Sequence, residues 1–240
     1  KGMPAELILI GGASVLVNYG FRNMTTDVDA LIHAASGMKD AINRVGDRFG
    51  LPNGWLNADF KNTASYTPKL DEVSVYYKTY SNVLTVRTVA AEYLIAMKLR
   101  SGRQYKSDLS DVLGILAEHG KRGTPITMEQ IQKAVTDLYG GWTSLSDMSQ
   151  AFISNVMEDG RFEQLYAQIV QGEQETKKLL IRFEKEYPSI AKEDNVDAIA
   201  VTLQKKADKA SILELLRQRQ AEIPEAKQGK KAWKRDDPER

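Results

Sequence analysis

The chain has 240 residues, no cysteine, a formal net charge of +1, and hydrophobic and charged fractions of 42% and 27%, an ordinary globular composition with room for one large or two small domains. The lack of cysteine excludes disulfides and thiolate metal sites, and the near-zero net charge excludes a global basic field, so any RNA contact has to be a local patch. No run approaches the roughly 18 apolar residues of a membrane span and no leader pattern is visible, so a cytoplasmic setting without membrane contact is the expectation.

Leu7 to Ile10 is a continuous apolar run, the pattern of a strand buried on both faces. Gly11 and Gly12 then allow a sharp turn and close approach of a ligand to the backbone. The short helix that follows aims its first N–H groups at any phosphate placed there. A second strand carries Asp27 and Asp29, and strand alternation puts both carboxylates on one face, a seat for a divalent cation. About 15 residues separate turn and acids, enough for a short helix to leave the first strand and bring the chain back beside it. Each half alone is common, as turn chemistry or a solvated strand end. Together they are the minimum equipment for phosphoryl or nucleotidyl transfer.

The stretch GG-x-S followed by R-x-x-T-T-D-V-D resembles the first motif of the polymerase-β-type nucleotidyltransferases, in particular the small bacterial group that includes AbiEii-like toxins. The resemblance implies an α+β nucleotidyltransferase fold, a small mixed sheet flanked by helices and followed by an all-α C-terminal region. It assigns Gly11, Gly12 and Ser14 to phosphate and Asp27 and Asp29 to Mg²⁺, and places Arg22 and Thr26 at motif positions on the nucleotide side.

Farther along, Ser36 is expected to cap a helix through Met38, Ile42, Val45 and Phe49 that ends at Gly50 and covers one face of the sheet. The segment from Leu51 to Glu72 is rich in turn formers and is expected to be loop or short helix, with Trp55 and Leu56 buried. Its string GWLNADF is similar to a segment found at this point in the toxin-like group. Val73 to Tyr80 and Val83 to Val89 flank Ser81-Asn82 as a hairpin. Polymerase-β-type sites recruit a third acid from a later strand. Asp71 and Glu72 are the candidates here, against the reading of an acidic loop before an edge strand.

Leu94, Met97 and Leu99 belong to an apolar helix loosened at Ser101-Gly102, and a second helix starts near Ser107. Asp108 and Asp111 share a face of it, with Lys98, Arg103 and Lys106 around them, which by charge alone describes ordinary surface salt bridges. The segment AEYLIAMKLRSGRQYKSDLSDVLGIL resembles the later motif of the AbiEii-like group. That resemblance places Lys98 near the nucleotide phosphates, Asp108 close to the metal or the attacking group, and Asp111 beside it. Ser107 stands between Lys106 and Asp108 where the group has a basic residue directly before the aspartate.

Thr127 is expected to cap a helix through Met128, Ile131, Val135 and Leu138, and Gly140-Gly141 to close a domain over residues 1–140. Residues 141–223 are expected to be helical: one helix through Phe152, Ile153 and Val156 to Gly160, and a long one interrupted or bent near Gly172 and ended by Pro188. A last helix is expected over Ile199 to Leu216, on Leu203, Ile212, Leu215 and Leu216. Residues 224–240, with Trp233, are expected to be a disordered charged tail. His33 and His119 are expected to be structural.

The resemblance implies a Mg²⁺-dependent enzyme that moves a nucleoside monophosphate from an NTP onto RNA, such as a tRNA end, or onto a protein hydroxyl. The setting it implies is the toxin half of a toxin–antitoxin or phage-defence pair with a cognate antitoxin. The alternative is an NTP-binding or partner-binding module on the same fold without turnover.

Overall fold

The apolar run near the start of the chain becomes the middle of a mixed sheet. In the computed structural model, which describes residues 4–22, 24–25, 27–34, 37–103, 107–192 and 195–207, β1 (Ala5–Leu9) lies between an antiparallel β2 (Val28–Ala34) and a parallel β5 (Leu84–Val89). The two-residue β3 (Leu56–Asn57) pairs with β2, and β4 (Ser74–Tyr80) pairs with β5, giving the order β3-β2-β1-β5-β4. Side chains alternate along a strand, so β1 serves two cores. Ile8 and Ile10 join Leu31 and Val89 on one face, while Leu7 and Leu9 join Ala30 and Val86 on the other. Ala13 and Val17 of α1 (Gly11–Asn18) and Met38 and Ile42 of α2 (Met38–Phe49) cover the second core. The first core is filled from α3 (Ala91–Ser101), α4 (Asp108–Lys121), α5 (Met128–Tyr139) and α6 (Asp147–Asp159). This is the α+β architecture expected.

Local chemistry accounts for most boundaries. Ser81 and Asn82 both take positive φ, 50° and 55°, as a two-residue hairpin whose twist matches its strands requires. Thr127 and Gln130 form a reciprocal capping box at the start of α5, and Gly140 and Gly160 end α5 and α6 in the left-handed region.

The apolar stripe of α2 is shorter than expected. Val45 and Phe49 are exposed; the covered side of the helix beyond Ile42 is the Gly46 side, where Trp55 packs and its Nε1 donates to the Ile42 carbonyl at 3.1 Å. Trp55 itself is half-buried and Leu56 buried. The expected cap Ser36 lies outside the described residues. The turn-rich segment supplies β3 and two 3₁₀ turns, Asp59–Asn62 and Pro68–Leu70. α7 (Phe162–Glu186) is helical straight through Gly172, where a break was expected, and stops before Pro188.

The chain divides into two compact units, Lys1–Lys177 and Lys178–Arg240. The second holds the last part of α7 and a helical stretch over residues 196–207. Ile212, Leu215, Leu216 and the tail with Trp233 lie outside the described residues. Among the described residues no helix is long and apolar enough to cross a membrane.

One glycine inside a helix positions the loop between α1 and β2. A Cβ on Gly114 of α4 would lie 2.5 Å from the Phe21 ring, which also stacks on Tyr19 at 5.6 Å and meets Tyr166 of α7 edge-on at 5.5 Å. Gly114→Ala gains up to ~1 kcal/mol of helix propensity but overpacks the Phe21 slot at a cost of ~1–3 kcal/mol. The expected net result is a lower urea midpoint at unchanged slope, and a raised midpoint would contradict this packing.

Candidate functional site

The site begins where β1 ends. The Ile10 N–H donates to the Asp29 carbonyl at 2.9 Å, tying the glycine turn to the acid-bearing strand, and Gly11 takes φ +54°, a conformation that favours glycine. A Cβ on Gly11 would face Asp29 Oδ2 at 3.7 Å, and one on Gly12 would lie 2.8 Å from Thr25 Oγ1 and 2.9 Å from Arg22 Nη2. The absent side chain at Gly12 therefore lets Arg22 and Thr25 close over the N-terminus of α1. Asp27 sits at the bend before β2 and Asp29 within the strand. Both acids and both glycines line one cleft of ≈ 490 Å³.

The second wall comes from α3 and α4. Lys98 Nζ lies 2.8 Å from Asp108 Oδ1 and 2.7 Å from Asp111 Oδ2. Arg103 Nε donates to Asp108 Oδ2 at 3.0 Å, and Arg22 pairs with Asp111. The Lys98 side chain is 9% exposed and that of Asp108 1%, so this is an interior charge cluster, not the surface pairs that charge pattern alone describes. Arg22, Lys98 and Arg103 face Asp108 and Asp111. Burial pushes the Asp108 carboxyl up, but the adjacent Lys98 and Arg103 charges and their hydrogen bonds outweigh it and hold it at about 2. Burial likewise pushes Lys98 down, and the two aspartates overcome it and raise the ammonium above its ordinary value. Asp108 and Asp111 thus hold these cations in place beside the glycine turn.

The third wall is a stripe of α7, where Tyr166, Val170, Glu173 and Lys177 line the cleft. Glu173 accepts from the Ser110 hydroxyl at 2.7 Å and from the Ser110 N–H at 3.3 Å. Sequence reasoning passed over these α7 residues. Their spacing at i, i+4, i+7 and i+11 puts them on one helix face, but a polar helix face is ordinarily solvated.

The cleft therefore gathers Gly11, Gly12, Arg22, Asp27, Asp29, Lys98, Asp108 and Asp111. It does not include Ser14, which faces inward from α1, is fully buried and has a hydroxyl without a partner in the described structure. Nor does it include Asp71 and Glu72. Asp71 bonds His33 Nε2 at 2.9 Å, and His33 lies four residues beyond Asp29 along β2, roughly 13 Å at strand rise. β5, the strand parallel to β1, reads LTVRTV and carries no acid. Thr26 and Lys106 lie outside the described residues. His119 has a structural role, contacting Tyr19 Oη at 3.1 Å and the Thr124 carbonyl at 3.2 Å.

Residues 2–119 match the model of a family described as "Nucleotidyltransferase of unknown function (DUF6036)". The N-terminal half of the chain matches a nucleotidyltransferase family. The match takes in the glycine turn, the paired acids and the Lys98–Asp111 cluster, and it ends before α7. Comparison with curated proteins and with solved structures gave no significant match.

Among the described residues no three histidine, aspartate or glutamate side chains are placed to share a metal. Asp27 and Asp29 remain a pair in one cleft, and such a pair fits Mg²⁺, which takes one or two carboxylates and completes its shell with phosphate oxygens and water.

Removing one partner of a buried ion cluster leaves charges uncompensated, at a cost of roughly 3–5 kcal/mol. Lys98→Met is expected to lower unfolding free energy by that amount at neutral pH. In the wild type the Asp108 contribution is present above pH about 4 and is lost as pH falls toward about 2. Without Lys98 the carboxyl titrates higher, so the acid loss begins at higher pH. Urea unfolding across a pH series reads both effects, and an unchanged neutral-pH stability would contradict the buried cluster.

Proposed function

We propose that the chain is a Mg²⁺-dependent nucleotidyltransferase that moves a nucleoside monophosphate from an NTP onto a hydroxyl of RNA, such as a tRNA end, or of a protein. The observation that carries this reading is the convergence, in one cleft, of the glycine turn at the α1 N-terminus, the Asp27–Asp29 pair and the cation-rich cluster of Arg22, Lys98 and Arg103. The α1 amides and Arg22 take the phosphate oxygens. Asp27 and Asp29 hold the cation, which neutralises charge on the phosphates and orients them for in-line attack. Lys98 and Arg103, fixed by Asp108 and Asp111, face the charge that develops on the leaving pyrophosphate, where preorganised cations lower the barrier most. The resemblance to AbiEii-like toxins supports a cytoplasmic toxin of a toxin–antitoxin or phage-defence pair, with a cognate antitoxin as partner.

A second reading is an NTP-binding or partner-binding module without turnover. The observations that favour it are the absence of an acid on β5 and the engagement of Lys98 Nζ by two carboxylates.

Purified protein with Mg²⁺, each α-labelled NTP, and total bacterial RNA or lysate is expected to yield a labelled product. Asp27→Asn and Asp29→Asn each remove cation stabilisation of several kcal/mol and are expected to lower labelling by at least ~10²-fold. Labelling equal to wild type would reject the role of these acids, whereas Mg·NTP binding by calorimetry without any transfer would establish the module.

A further inference from the structure

Among the described residues five carboxylates line the cleft: Asp27, Asp29, Asp108, Asp111 and Glu173. The first two form the cation seat. Asp108 and Asp111 are each engaged by two cations. Glu173 differs from all four. It forms no ion pair among the described residues, and it accepts hydrogen bonds from the neutral hydroxyl and N–H of Ser110. Each Glu173 oxygen accepts one of these bonds and keeps a further lone pair for a ligand in the cleft.

We propose that Glu173 is the proton acceptor for the hydroxyl that receives the nucleotide, brought to the cleft by α7 and oriented by Ser110. The inference rests on the nucleotidyl-transfer reading above and assigns to the C-terminal part of the chain a role that β5, which lacks an acid, does not fill. In the reaction the acceptor O–H proton passes to a Glu173 carboxylate oxygen as the acceptor oxygen bonds to the α-phosphorus. The bond from that phosphorus to the bridging oxygen breaks, pyrophosphate leaves with the electron pair, and Glu173 later releases its proton to water.

The surroundings suit the task. Burial pushes the Glu173 carboxyl up, the two Ser110 hydrogen bonds pull it down, and Asp111 and Asp108 across the cleft push it up again, leaving it above the ordinary glutamate value. Arg22 and Arg103 face the same cleft, as do Tyr166 and Lys177 from α7 itself. A base whose affinity for protons approaches the working pH is the more effective one.

The test measures label transfer from α-labelled ATP, CTP, GTP and UTP to total bacterial RNA and protein, with Mg²⁺, across a pH series, together with calorimetry of the same Mg·NTP. Glu173→Gln is expected to lower the transfer rate by ~10²–10⁴-fold, to leave Mg·NTP affinity unchanged, and to abolish the acid limb of the pH profile. Ser110→Ala removes the hydroxyl's hydrogen bond to the ionised form while keeping the N–H one, so its acid limb is expected to move to higher pH. Glu173→Gln transferring label at the wild-type rate with the acid limb intact, while Asp27→Asn fails, overturns the proposal and leaves the nucleotidyltransferase reading standing. Loss of Mg·NTP affinity at an unchanged maximal rate also overturns it. If Glu173→Gln does not fold, an unmoved acid limb in Ser110→Ala overturns it. Absence of transfer by the wild type, with Mg·NTP still bound, overturns both this proposal and the reading it rests on.

Discussion

The site depends on the burial of Lys98 between two aspartates. Removing an ammonium or a carboxylate from water costs several kcal/mol per ion, so none of the three can be buried without the others. Geometry makes the trio possible. Gly102 ends α3 in the left-handed conformation, and a Cβ there would lie 2.8 Å from Ser149 Oγ. The chain then enters α4 with Asp108 and Asp111 in its first turn, where the helix dipole favours negative charge. Arg22 reaches in from the loop after α1 and pairs with Asp111. The ion cluster therefore joins two motifs far apart in sequence and fixes the α1–β2 loop that carries Arg22, Thr25 and Asp27.

The cleft is built from two parts of the chain with different tasks. The sheet, α1, α3 and α4 supply the anion and cation positions, all within residues 2–119 that match the nucleotidyltransferase family. α7 supplies the facing wall from residues beyond that match. The binding half is held by charges that must stay paired, and the wall is coupled to it through Tyr166 and the Ser110–Glu173 bonds.

Much of the frame was legible in the sequence because short-range chemistry decides it. The apolar run, the double glycine and the spaced acids gave β1, α1 and β2; Ser81-Asn82 gave the hairpin; Thr127, Gly140 and Gly160 gave helix ends. What was not legible depended on tertiary placement. Val45 and Phe49 follow the helical period but face solvent where a core was expected. Asp71 is an acid before a strand, but that strand is the outer one and the acid meets His33. Ser14 follows the glycine pair in the motif and turns into the core. Glu173 is one glutamate among many on an amphipathic helix, and only the docking of α7 against Ser110 distinguishes it.

The contact between Tyr166 and Phe21 has a consequence for the order in which the protein acquires its site. The Tyr166 hydroxyl donates to the Phe21 carbonyl at 3.3 Å across a sequence separation of 145 residues. Once Arg22 has paired with Asp111 and Phe21 has seated against Gly114, the loop that remains to be closed runs only from α4 to α7, and its length-dependent cost is smaller than that of a free 145-residue loop. A nascent chain that has already formed its sheet and α4 still lacks the α7 wall of the cleft, which it gains only after α7 has emerged and folded back.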